Sequence, residues 1–299
     1  MESIFDVASI TKAVPVSSLA LKLINDGVIS EDELLIKYVP EYRGNFRDKI
    51  RIFHLLTQTL SFDFRLSDCK DLPGPQIMEA VLRAKLGVAP GERFFYANAT
   101  SILLGLVIER CMNITIENAA SEVFFKPLGM NRSFFNPSVE YLECIVPTEI
   151  DPWRGKLIKG EVHDESAWAM RPKTVGSAGL FSTAPDLLKF VAMLLNGGIH
   201  AGNQIFSTQI IQRMCTNQLP AEMMVQTGLG WELNQVTFMG ERCSNSCFGK
   251  TGFTGCSITI DFEKKIAVVL LSNHVFPNRR KDRNEINRIR ALLADAVFG

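Results

Sequence analysis

Up to about residue 216 the chain alternates helix-like segments with loops, and only then turns to strand-like segments before one last helix. This order constrains the fold more than any other feature. Strands gathered near one end argue against an alternating βαβ parallel sheet, and helices followed by strands point to an α+β architecture. Ser9 to Asp26 reads as a helix closed by Gly27, a residue suited to a left-handed cap, with Pro15 placed to kink it. Apolar spacing predicts further helices over 31–39, 50–57, 75–86, 98–111, 116–125, 184–196, 207–216 and 283–298. Residues 228–239, 256–261 and 266–272 have the length and β-branched content of strands, with a turn over 263–265. Residues 131–180 are irregular, and an irregular stretch this long in a compact protein is usually functional. No internal repeat is evident.

Composition narrows the function classes. With 32 Lys+Arg against 32 Asp+Glu, 46% hydrophobic and 21% charged residues, the chain is neither disordered nor a polybasic nucleic-acid binder. Its 299 residues suffice for a large apolar core. No run of about 18 consecutive apolar residues is present, which argues against a membrane-spanning helix. Seven cysteines, an odd number, cannot all pair, so a reduced compartment is the simpler reading. None of the four histidines sits at zinc-like spacing from another ligand, so no metal is expected, and nothing calls for a cofactor. The N-terminus lacks the features of a signal peptide. Localisation therefore stays open: cytoplasmic as the chain is written, periplasmic or extracellular if its start is truncated.

Three short motifs occur in order: Ser9-Ile10-Thr11-Lys12, Tyr96-Ala97-Asn98 and Lys250-Thr251-Gly252. Singly each is weak, because Ser-x-x-Lys is expected about once by chance in a chain of this length. Ser67-Asp68-Cys69-Lys70 is a second match, in a polar loop, and is the chance one. Ser9 differs because it opens a helix. Residues at i and i+3 share a helical face, so Lys12 can hydrogen-bond the Ser9 hydroxyl and help take its proton. The positive helix N-terminus also favours negative charge developing there. Otherwise Ser9 is a helix cap and Lys12 a solvated residue. Tyr96, flanked by cations, could relay a proton, or be a half-buried aromatic beside Phe94 and Phe95. Asn98 could fix Lys12 or a substrate amide, or cap the following helix. Lys250-Thr251-Gly252 precedes a predicted strand. There Gly252 lets substrate backbone approach and Lys250 brings charge toward Tyr96; the alternative is a hairpin turn.

Taken together, the motifs resemble the serine β-lactamase and penicillin-binding-protein superfamily, and Tyr-x-Asn in the middle place resembles its class C and related esterase branch. The resemblance extends to Phe5-Asp6-Val7-Ala8-Ser9, to Pro90 through Asn98, to Pro127-Leu128-Gly129-Met130, to Ala178 through Thr183 and to Gly249 through Gly255. It implies an antiparallel sheet flanked by helices plus a mostly helical region. It implies Ser9 as acylated nucleophile, Lys12 with Tyr96 as the proton-handling pair, and Lys250 holding charge near the tyrosine and substrate. Asn98 would orient the acyl side chain, with Thr251 and Gly252 on the substrate side. The N–H groups of Ser9 and Phe253 would form the oxyanion hole. The implied organisation is a nucleophile helix over 1–27 packed between a mostly helical subdomain (28–180) and an α/β subdomain (181–299).

Three departures stand out. Relatives carry a helix and two strands before the nucleophile, whereas eight residues precede Ser9 here, so the expectation is either a truncated start or a short sheet, which leaves an exposed edge. Gly176-Ser177-Ala178-Gly179 replaces Gly-His-Ala-Gly, and Pro15 interrupts the nucleophile helix. His163-Asp164 is expected to fix its loop rather than touch substrate. The basic run Arg279, Arg280, Lys281 and Arg283, interrupted by Asp282, is expected to be a solvated helix start. The implied activity is a serine hydrolase cleaving an amide or ester, namely a peptidoglycan-type peptide, a β-lactam or a small ester. Lys250 favours a carboxylate-bearing substrate. The partner is thus a small molecule or peptide, with no nucleic acid and no membrane span, and with the oligomeric state open. The alternative is a catalytically silent ligand-binding or sensor protein.

Overall fold

The computed structural model describes residues 3–280 and 282–299. The segment predicted as one helix over 9–26 is three pieces: a 3-10 turn (Ala8–Lys12), a π turn (Ala13–Ser17) and the regular helix α1 (Ser18–Asn25). The break falls at Val14 (φ −117°, ψ 107°), because a proline ring crowds the residue before it out of helical conformation. The helix predicted over 31–39 shrinks to α2 (Leu35–Tyr38). Ser30 to Glu33 form a turn instead, and Leu34 is extended against Arg51. α3 (Ile52–Leu56), α4 (Gly74–Arg83), α5 (Asn98–Met112) and α6 (Ile116–Ala120) follow where apolar spacing places helices.

α5 is the central helix. Every residue from Ala99 to Ile108 is buried, so it presents almost no face to water, and Asn113 ends it in left-handed conformation (φ 54°). Among the described residues no single helix is long and apolar enough to cross a membrane. Around α5 pack α1, α3, the Ala8–Ser17 turns and an aromatic group. In that group Phe124 meets Phe190 edge-on at 5.3 Å and Phe206 at 5.9 Å. Phe124→Ala is expected to cost about 3–5 kcal/mol through the cavity it leaves. The urea midpoint should fall with an unchanged slope, and an unchanged midpoint would show the site collapsing without loss.

The irregular region after residue 130 holds the hairpin of β2 (Glu149–Asp151) and β3 (Lys156–Ile158) and the short helix α7 (Glu165–Ala169). Upstream, β1 (Phe5–Asp6) pairs antiparallel with β4 (Phe181–Ser182). α8 (Ala184–Leu195) starts at Thr183, whose hydroxyl accepts the Asp186 N–H. The small hairpin β5 (Ile199–His200) and β6 (Asn203–Gln204) leads to α9 (Thr208–Met214).

The strand predicted over 228–239 is corrected. Only β7 (Glu232–Leu233) is extended, and Val236–Met239 forms the short helix α10. Gly228 and Gly230 lie so close to the Met214 carbonyl and the Ser17 side chain that a Cβ at either would collide. Asn234 then turns left-handed (φ 50°), ending the strand. β7 joins β8 (Cys247–Thr251), β9 (Ser257–Asp261) and β10 (Ile266–Leu270) in an antiparallel sheet of order β10-β9-β8-β7. Lys250-Thr251 thus ends a strand that the sequence did not reveal, β8, and still precedes the predicted strand, which is β9. One sheet face sends Phe248, Ile258 and Ile260 into the main core beside α8, and the other packs Cys247 and Val268 on α11 (Asn284–Phe298). β10 is an edge strand among the described residues, with Ile266 37% exposed.

Candidate active site

The site begins with backbone geometry at Ala8. This non-glycine residue adopts φ 48°, and two contacts hold it there: its N–H donates to Asp6 Oδ1 (2.8 Å) and its carbonyl accepts from Thr11 Oγ1 (2.6 Å). The turn presents Ser9 at the mouth of the 3-10 segment with Lys12 three residues on. Lys12 Nζ donates to Ser9 Oγ (3.1 Å) and to the Ser177 carbonyl (2.6 Å), and the lysine is 3% exposed. The i,i+3 relation therefore survives the replacement of the predicted α-helix by a 3-10 turn.

Tyr96 enters from the loop before α5, and Lys250 from β8. The Lys12 and Lys250 ammoniums lie 5.2 and 4.5 Å from the centre of the Tyr96 ring. Burial alone would push the phenol up, but Lys12, Lys250 and the Ser9 hydroxyl outweigh it and hold it below its ordinary value. Lys250 forms a short ion pair with Glu232, across the strand pair from it. Burial would pull Lys250 down; Glu232 and the phenol reverse this and hold it above its ordinary value.

Ser9, Tyr96 and Lys250 open onto a cleft of about 840 Å³ that also takes in Asn98, Thr251, Phe253, His163, Arg279 and Arg283, and Lys12 is buried behind them. Asn98, the first residue of α5, donates to Asp164 Oδ2 (3.0 Å) and does not cap the helix. Gly252 is small for a different reason from that expected: a Cβ there would strike the Val7 carbonyl, so the glycine lets the end of β8 lie against the Ser9 turn. Phe253 stacks on His163 (centroids 5.5 Å apart, 21° between planes), and its N–H has no hydrogen-bond partner among the described residues. Ser67 and Lys70 reach the same cleft, yet Lys70 lies over Trp153 (5.1 Å), away from any catalytic geometry with Ser67.

His163 fixes its loop, as expected: its N–H donates to Asp6 Oδ2 (2.7 Å) and its Nε2 pairs with Glu149 (2.7 Å). Asp164 accepts the Ala167 N–H (2.9 Å) and so starts α7. The solvated basic run is corrected at two positions. Arg279 turns inward onto Glu149 and Glu165 (2.8 and 2.7 Å), and Arg283 onto the Gly252 carbonyl (3.1 Å). Carboxylates in the irregular region and carbonyls of the loop after β8 supply the attraction that local sequence does not reveal. Arg280 pairs with Glu285 at the surface, and Lys281 lies outside the described residues. Among the described residues no group of three or more His, Cys, Asp or Glu could hold a metal ion.

The family model for Beta-lactamase matches residues 1–293. The chain belongs to the beta-lactamase family. A putative D-alanyl-D-alanine carboxypeptidase of Salmonella agona is 27% identical over 332 aligned residues, covering 99% of this chain and 76% of the relative. Two solved structures share the fold. EstCE1, a hydrolase with promiscuous acyltransferase activity, matches with TM-score 0.76 and 20% identity, over 100% of this chain and 85% of its own. A beta-lactamase/D-alanine carboxypeptidase from Pseudomonas syringae matches with TM-score 0.74 and 19% identity, over 98% and 85%. This beta-lactamase-family chain is accordingly a serine hydrolase.

Sequence reasoning missed several residues of this beta-lactamase-family site. Glu232 was hidden inside a segment read as a long strand. Asp6 was quoted only as lead-in to Ser9, although its carboxylate joins the Ala8 turn to the His163 loop. Its one local signal is its spacing two residues before a left-handed Ala8, and that conformation is not visible in sequence. Arg283 reads in sequence only as part of a solvated basic run.

Proposed function

We propose that this serine hydrolase follows the class C pattern, cleaving an amide or ester through an acyl-enzyme on Ser9, with a carboxylate-bearing substrate of D-alanyl-peptide or β-lactam type. The observation that carries the reading is the convergence of one hydroxyl, two ammoniums and one phenol whose ionisation is made easier. As Ser9 Oγ bonds to the substrate carbonyl carbon, its proton passes to the Tyr96 phenolate, whose charge Lys12 and Lys250 stabilise. The carbonyl electron pair moves onto oxygen, facing the N–H groups of Ser9 and Phe253. When that pair returns, the C–N or C–O bond breaks and Tyr96 gives its proton to the leaving group. Water then repeats the sequence on the ester and frees Ser9. Asn98 holds the acyl side chain, and Thr251 with Lys250 and Arg283 receives the substrate carboxylate at the end of β8. That last assignment agrees with the Salmonella relative's printed name. Against the silent-receptor alternative stand the Lys12 ammonium on Ser9 Oγ and the two ammoniums against the Tyr96 ring, groups that a binding pocket alone does not need.

Incubation with a fluorophosphonate and with labelled penicillin, followed by peptide mass spectrometry, tests the reading. Both adducts should fall on the peptide carrying Ser9, and Ser9→Ala should abolish them. Folded parent protein that stays unmodified by both probes would refute the acyl-enzyme, while modification by the fluorophosphonate alone would refute the β-lactam-type substrate.

A further inference from the structure

Arg290, on α11, is 2% exposed, and all of its hydrogen bonds go to neutral oxygens. Nη1 donates to Asn287 Oδ1 (2.8 Å), Nη2 donates to the carbonyls of Gly252 (2.9 Å) and Cys256 (2.8 Å), and Nε has no partner among the described residues. A buried cation without a carboxylate is costly, and a helix-to-sheet contact needs no such group. Burial lowers its pKa only to about 10, so it stays charged at neutral pH.

The Gly252 carbonyl is an unusual acceptor. Besides Arg290 it receives Arg283 Nη2 (3.1 Å) and the Gly255 N–H (3.2 Å), so three donors, two of them cationic, meet on one oxygen. That oxygen belongs to the same peptide unit as the Phe253 N–H, which is unpartnered and borders the cleft. Amide resonance links the two ends: drawing electron density onto the carbonyl oxygen makes the N–H at the other end a stronger donor. The unit cannot swing away. The Gly252 N–H is tied to the Cys256 carbonyl (2.8 Å), Thr254 Oγ1 to the Asp6 carbonyl (2.8 Å), and Gly252 is seated against Val7.

We infer that Arg290 and Arg283 are positioning residues that polarise the Gly252–Phe253 peptide and so strengthen the Phe253 N–H as a donor to the oxyanion. The inference rests on the Ser9 acyl-enzyme reading. It assigns the C-terminal helix a part in transition-state stabilisation without contact between Arg290 and the reacting atoms.

The test is the infrared spectrum of the acyl-enzyme formed with a p-nitrophenyl ester carrying a 13C carbonyl, together with single-turnover acylation rates. A stronger oxyanion donor lowers the frequency of the acyl carbonyl. In Arg290→Gln and Arg283→Gln the band should move to higher frequency and acylation should slow by about tenfold, a fraction of the effect of losing a whole oxyanion donor, with KM for this carboxylate-free ester within about twofold. Arg290→Lys, which keeps a charged donor, should fall between. If Arg290→Gln does not fold, Arg283→Gln, at a partly exposed position, carries the same measurement. A parent band that folded variants leave in place, at parental acylation rates, overturns the inference alone. A parent that forms no acyl band overturns the acyl-enzyme reading and this inference with it.

Discussion

Lys12→Met is expected to lower kcat/KM by about 10³–10⁴, the upper range for loss of positioned proton handling. The substitution keeps length and apolar bulk at a buried position, so the fold should persist while the ammonium that bonds Ser9 Oγ disappears. It should also move the pH profile. Tyr96 is held below its ordinary value partly by Lys12, so removing that cation raises the phenol's pKa. Activity carried by the phenolate is present above that pKa and lost below it. The acid limb of kcat/KM should therefore shift to higher pH in Lys12→Met, and the residual activity should recover on alkalinisation. A parental rate, or an acid limb that moves to lower pH, would remove Lys12 from the chemistry.

Tyr96→Phe should cost about 10²–10³ in kcat with a smaller change in KM, since it deletes one oxygen from a ring the cleft retains. The acid limb that Lys12→Met displaces should vanish here, because the titrating group is gone. The proposed mechanism has Lys12 and Tyr96 act on the same proton, so the double variant should lose much less than the product of the two single losses. Multiplicative losses would mean that the two residues serve separate steps.

The helices were legible where apolar spacing carried the information: α5 and α8 stand close to their predicted positions because their burial is written into local sequence. Ser9, Lys12, Tyr96 and Lys250 were legible as motifs, and they do meet. What stayed hidden depends on contacts between distant segments. The strand read over 228–239 failed because two glycines and a left-handed Asn234 answer to Met214, Ser17 and the local turn rather than to a strand pattern. Arg279 and Arg283 look solvated in sequence, and only the arrival of Glu149, Glu165 and the Gly252 carbonyl turns them inward. Gly252 was expected to make room for substrate, yet it makes room for Val7.

The stitching of the Ser9 turn has a consequence for folding kinetics. Asp6 is bonded to residue 163 and, through its carbonyl, to Thr254, 248 positions away, while Lys12 reaches Ser177 across 165. Closures across such separations belong to the slow end of chain assembly, after the local helices have formed. Reactivity at Ser9 should consequently be among the last properties a refolding molecule gains, so a fluorescent acylating reagent would count finished molecules and pass over partly assembled ones.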